Sequence, residues 1–321
     1  MTQAAFRPQR FLSNPHAQTI VPYFAGASPM FAATVQHRVA LPDADTIILH
    51  EDRSRETERS AALLIHGLGG CHASPYMCRL ASKLIRRGVR TFRMDLRGCG
   101  AGAGLAVHPY HAGRSDDLDA ALECIARLCP DLEIALVGFS LGGNIVLKWL
   151  AELRGPPSAN VSRAVAVCPP IDLRRCVSAL PRALGGMYER YFTRLLLRRV
   201  RENAVNNPNA AQLDAPRRPR SLYEFDDVFT APRSGFESAD HYYRECSSAA
   251  MLPEIRLPTR IVAARDDPLV LFDVFEHVRL SDSCKLLVTD HGGHVGFIGR
   301  SGVDPDRWWL DWRIVDWLSK P

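Results

Sequence analysis

The chain has no long apolar run. Segments such as "AALLI" and "TRIVAA" fall far short of the roughly 20 residues a membrane-spanning helix needs. The first stretch, "MTQAAFRPQRFLSNPH", lacks the apolar centre and small-residue cleavage site of a secretory signal. Both absences point to a cytoplasmic protein. Lysine is scarce: Lys83, Lys148, Lys285 and Lys320 are the four among 40 basic residues, and the rest are arginine. Such a bias follows genome composition, so the formal charge of +5 gives nucleic acid little weight as a partner. The nine cysteines are odd in number and contain no CxxC pair. That excludes a regular disulfide framework and the paired ligand spacings of structural zinc. Reduced, buried cysteines and no metal are expected. Internal repeats are missing too.

What is present suits one sizeable core with an inserted subdomain: 321 residues, 46% hydrophobic and 23% charged. Strand-like and helix-like segments alternate. "ATVQHRVAL" and "DTIILHED" read as an antiparallel pair joined by "PDAD". Then come the strand "SAALLIHG", the helix "SPYMCRLASKLIRRG", the strand "VRTFRMDLRGCG" and the helix "RSDDLDAALECIARL". The strand "EIALVGF", the helix "GGNIVLKWLAEL" and the strand "VSRAVAVCPP" follow. After an interruption the rhythm resumes with "PTRIVAARDDP", a helix over "LVLFDVFEHVRL", the strand "CKLLVTD" and a Trp-rich last helix. The pattern predicts an α/β fold, a mostly parallel sheet with helices on both faces. Residues 1–170 and 256–321 form the expected core, and 171–255 a helical lid insertion over the carboxyl ends of the strands.

"GFSLG" sits between the strand "EIALVGF" and a helix, the position of a nucleophile elbow. The bland alternative is that Ser140 merely caps the helix. Serine needs a base to attack, and in this architecture the acid and then the histidine follow it in sequence. "RIVAARDDPLV" ends a strand in two aspartates and "LLVTDHGGHVGF" ends one in two histidines. Asp267, after a short turn, is the preferred acid, with Asp266 as its rival. His294 is the preferred base, because two glycines let its loop swing toward the serine; His291 suits loop hydrogen bonds. The oxyanion donors are expected to be the backbone N–H groups of Leu141, directly after the nucleophile, and Leu68, in "HGLGG". His66 is read as bracing that loop, which lacks the ending of a P-loop.

These motifs resemble the YheT-type α/β hydrolases, a branch of serine hydrolases described as esterases. "NPHAQTI", "LIHGLGG", "DLRGCG", "YHAGRSDDL", "GFSLGGN", "SLYEFDDVFTAPRSGF", "YYRECSS", "ARDDPLV" and "HGGHVGF" carry the likeness in order, nearly end to end. The resemblance implies the α/β-hydrolase fold, a Ser140–Asp267–His294 triad and no cofactor. The expected reaction is hydrolysis of an acyl or lipid-like carboxylic ester through an acyl-serine. A thioesterase or acyltransferase using the same triad, or a non-catalytic binding protein, is the alternative. "MYERYFTRLLLRRVREN" has apolar and basic faces, so the first expectation is a lid helix with its apolar face over the pocket and its arginines in solvent, and the alternative is peripheral contact of the lid with an anionic lipid surface. Asn14 and His16 are read as part of a tethered N-terminal turn, His111 as a loop brace and Arg97 as one side of an ion pair. Oligomeric state has no signature in the sequence.

Overall fold

The computed structural model describes residues 6–25, 34–54, 57–153, 155, 157, 159–210 and 218–319. Eight strands are β1 Thr34–Ala40, β2 Thr46–Asp52, β3 Ser60–Ile65, β4 Val89–Asp95, β5 Ile134–Phe139, β6 Val161–Val167, β7 Thr259–Ala264 and β8 Cys284–Thr289. The helices are α1 Pro15–Phe24, α2 Pro75–Ile85, α3 Asp117–Leu128, α4 Leu141–Glu152, α5 Leu173–Ala179, α6 Met187–Asn206, α7 Leu222–Phe225, α8 Ala231–Arg233, α9 Ala239–Cys246 and α10 Trp309–Leu318. One sheet runs in the order β1-β2-β4-β3-β5-β6-β7-β8. β1 and β2 pair antiparallel, β2 pairs antiparallel with β4, and the remaining pairs are parallel.

The period-2 alternation of the strands divides the core. Ala61, Leu63 and Ile65 of β3 face one apolar layer with α3 and α4. Ala62 and Leu64 face the other, with α2 and α10. Each central strand is therefore buried on both faces, which explains why it reads as a continuous apolar run.

Helices α5–α9 occupy the stretch between β6 and β7, with a turn of π-helix at Asp226–Thr230. Residues 211–217 of the polar, Pro-containing stretch "NNPNAAQLDAPRRPR" lie outside the described residues.

One expected helix is replaced. "LVLFDVFEHVRL" forms a single 3₁₀ turn, Phe272–Phe275. The Asp267 carboxylate accepts from the amides of Leu269 and Val270 and bends the chain there. The apolar residues that suggested a helix stripe instead serve separate sites: Leu269 and Val270 line a cavity, and Phe275 enters the core.

Candidate active site

The turn from β5 to α4 holds Ser140 at φ 51°, ψ −119°. This is a region that non-glycine residues avoid, at a cost of about 1–3 kcal/mol. The small neighbours make it feasible. A Cβ on Gly138 would meet Gly142 O at 2.3 Å, and one on Gly142 would meet Ile65 O at 2.5 Å. The Ser140 hydroxyl makes no capping bond to α4.

It turns instead to His294. Ser140 Oγ lies 2.8 Å from His294 Nε2, and His294 Nδ1 lies 2.8 Å from Asp267 Oδ2. With Nδ1–H donated to the carboxylate, Nε2 is left to accept the serine proton. Asp267 is buried, and its other oxygen accepts from the amides of Leu269 (2.8 Å) and Val270 (3.0 Å). Asp266 and His291 form a separate pair at 3.2 Å, and Asp266 also accepts from the Gly293 amide.

The loop after β3 is braced on most sides. The Gly67 amide donates to Tyr76 Oη, the Gly69 amide to Tyr110 Oη and the Gly70 amide to Gly67 O. The Leu68 amide has no acceptor among the described residues, nor has that of Leu141, and both residues line the space around Ser140. Two free N–H groups beside a nucleophile are what an oxyanion requires. His66 accepts the Leu96 amide on Nε2 (3.2 Å) and lies 2.8 Å from Gly67 O through Nδ1. Burial lowers its pKa to about 4, so the ring braces the loop as a neutral group.

Two spaces meet at Ser140. One, of about 140 Å³, is walled largely by buried apolar residues, among them Leu173, Leu196, Phe225 and Phe229. The other is a wider cleft of about 790 Å³ toward α1 and the start of α6. Leu68, Ser140, Phe192, Arg199, Leu269 and His294 belong to both.

Sequence reasoning missed what holds the histidine. Thr19 Oγ1 accepts the His294 amide at 2.9 Å. Gln18 donates to Leu12 O and Ile298 O and accepts the Ile298 amide, tying α1 to the chain just after His294. Asn14 caps α1 through the amides of His16 and Ala17, and His16 stacks on Tyr188. The signal was the "NPHAQTI" motif, whose partner lies some 275 residues away. Arg97 is enclosed by Asp43, Asp45 and Asp117. His111 accepts the Gly113 amide.

A strained serine between a buried strand and a helix, hydrogen-bonded through histidine to an aspartate after a later strand, defines the α/β-hydrolase class. The chain matches the α/β-hydrolase fold family over residues 63–301. It is 34% identical to "Putative esterase YheT" of Escherichia coli (strain K12), over 99% of this chain and 94% of that one. It is 26% identical to a monoacylglycerol lipase of Saccharomyces cerevisiae (strain ATCC 204508 / S288c), over 90% of this chain and 65% of that one. Among solved structures, the Pyrococcus furiosus esterase Pf2001 superposes with a TM-score of 0.60 at 17% identity, covering 99% of this chain and 98% of that one. The chain belongs to the α/β-hydrolase family, in its YheT-type branch.

Proposed function

We propose that the protein hydrolyses carboxylic esters of acyl or lipid-like character through an acyl-serine. The observation that carries this reading is the chain of 2.8 Å hydrogen bonds from Ser140 through His294 to Asp267, facing an apolar cavity. His294 Nε2 takes the Ser140 proton as Oγ attacks the ester carbonyl. The Leu68 and Leu141 amides hold the oxyanion. Asp267 fixes the ring and stabilises its cation. Collapse of the tetrahedral adduct expels the alcohol, which receives the proton from His294. Water, deprotonated by His294, then releases the acid. The names of the relatives, an esterase and a monoacylglycerol lipase, support the ester class.

In this reading residues 171–255 form the lid, since its residues wall both spaces at Ser140. The mouth of the cleft supports a peripheral lipid contact. Tyr23, Phe24, Met187 and Tyr191 are exposed around it, and Arg190, Arg194 and Arg198 are exposed along α6. Apolar side chains beside a cationic face suit an anionic membrane surface.

The test is covalent. A fluorophosphonate probe should label the wild-type protein and leave Ser140→Ala unlabelled, and the same substitution should abolish hydrolysis of short acyl esters. Folded wild type that resists the probe would refute the reading.

A further inference from the structure

The four most buried cations each meet a carboxylate: Lys83 meets Asp306 and Asp311, Arg90 meets Glu51, Arg93 meets Asp52, and Arg97 meets three aspartates. Arg199, on the wall shared by both spaces at Ser140, departs from this pattern. Its Nη2 donates to Gly69 O at 2.6 Å and Gly70 O at 2.9 Å. Its Nε is shut off from solvent and has no hydrogen-bond partner among the described residues. Its guanidinium pairs with no described carboxylate. Glu202, one turn along α6, is held by Arg198 at 2.6 Å.

A half-buried guanidinium whose described hydrogen bonds go to two neutral carbonyls has no carboxylate in contact to match its charge. The two carbonyls fix its position, so it is presented to the cleft already oriented. An anion arriving there gains a charge-assisted hydrogen bond and loses no side-chain entropy in recruiting it. Carboxylate and phosphate oxygens are what a guanidinium recognises best.

We infer that Arg199 binds an anionic oxygen group of the substrate, a carboxylate or a phosphate carried within a few atoms of the scissile ester. The inference rests on the serine-hydrolase reading above and narrows its substrate class. The same side chain also braces the Gly69–Gly70 loop, so replacing it lowers turnover of every ester to some degree. The discriminating quantity is therefore a ratio.

Three butyrate esters differ in charge near the ester: 1-butyrylglycerol is neutral, butyryl glycolate carries a carboxylate, and 1-butyrylglycerol 3-phosphate carries a phosphate. Butyrate release should give wild type a kcat/KM at least tenfold higher on one anionic ester than on the neutral one. Whichever anionic ester is preferred identifies the source. Arg199→Gln should bring that ratio close to one, and Arg199→Lys should keep part of it, since lysine retains charge without the fork. A wild-type ratio near one, or an equal loss on all three esters in Arg199→Gln, would overturn the inference while fluorophosphonate labelling of Ser140 left the hydrolase reading standing. Neither labelling nor hydrolysis would overturn both.

Discussion

Asp266 and Asp267 differ in the partners their carboxylates meet, and this sets their expected contributions. Asp267→Asn keeps the volume but removes the acceptor that fixes His294 Nδ1–H. kcat should fall by about 10³–10⁴-fold, as expected when a triad histidine loses its proper tautomer. Asp266→Asn touches only the His291 and Gly293 contacts and should cost less than about tenfold. Steady-state kinetics on one ester decides, and the reverse order would reassign the acid. Two further histidines predict a pH response of stability. Burial holds His66 at about 4, and burial reinforced by Arg114, Arg97 and Lys148 holds His111 at about 3. Both folded values lie below the unfolded 6.5. Their contribution is complete above pH 6.5 and is lost as pH falls through the window toward 4 and 3, because the unfolded chain takes up protons first. Urea unfolding between pH 6.5 and 4 should show this acid limb. In His111→Gln its slope should shrink by up to about 1.4 kcal/mol per pH unit, one proton's worth.

At the scale of elements, α1 is a strut for the histidine loop. Thr19→Val removes the acceptor of the His294 amide, so kcat should drop about tenfold with KM little changed, because the ring is misplaced while the acyl cavity is intact. Gln18→Leu leaves the Leu12 carbonyl and the Ile298 amide without their partner, while Ile298 O keeps the Gln9 amide, and should cost about 2–4 kcal/mol, read by urea denaturation. This strut was not legible in the sequence. The succession of strands and helices, the elbow and the candidate acid and base were, because each announces itself through local chemistry: apolar runs ending in glycines, "GFSLG", aspartates and histidines closing late strands. The choice between neighbouring aspartates rests on which oxygen reaches the ring, which spacing does not encode. Nor does periodicity distinguish a helix stripe from Leu269, Val270 and Phe275 serving separate walls. The role of Arg199 was equally hidden, since an arginine within "TRLLLRRVREN" looks like part of a solvated face until its carbonyl partners are known.

At the scale of the whole molecule, Tyr23, Phe24, Met187 and Tyr191 are exposed at the cleft mouth, and Arg190, Arg194 and Arg198 are exposed along α6. Sedimentation should show more protein bound to phosphatidylglycerol vesicles than to phosphatidylcholine vesicles, with binding falling as salt rises. Arg190→Glu with Arg194→Glu should abolish the difference; equal binding to both vesicle types would refute the lipid contact. Among the described residues no helix is long and apolar enough to cross a membrane. The α1 strut also bears on how the molecule comes into being. Pro8 bridges Gly299, and Gln18 and Thr19 hold the backbone of Ile298 and His294. A chain growing on the ribosome releases its first twenty residues long before their partners are made. The sheet can begin to assemble in the meantime, but Ser140 meets His294 in its observed place only when the segment around His294 and Ile298 folds back onto α1. Until that docking, Ser140 would lack the proton acceptor proposed for it.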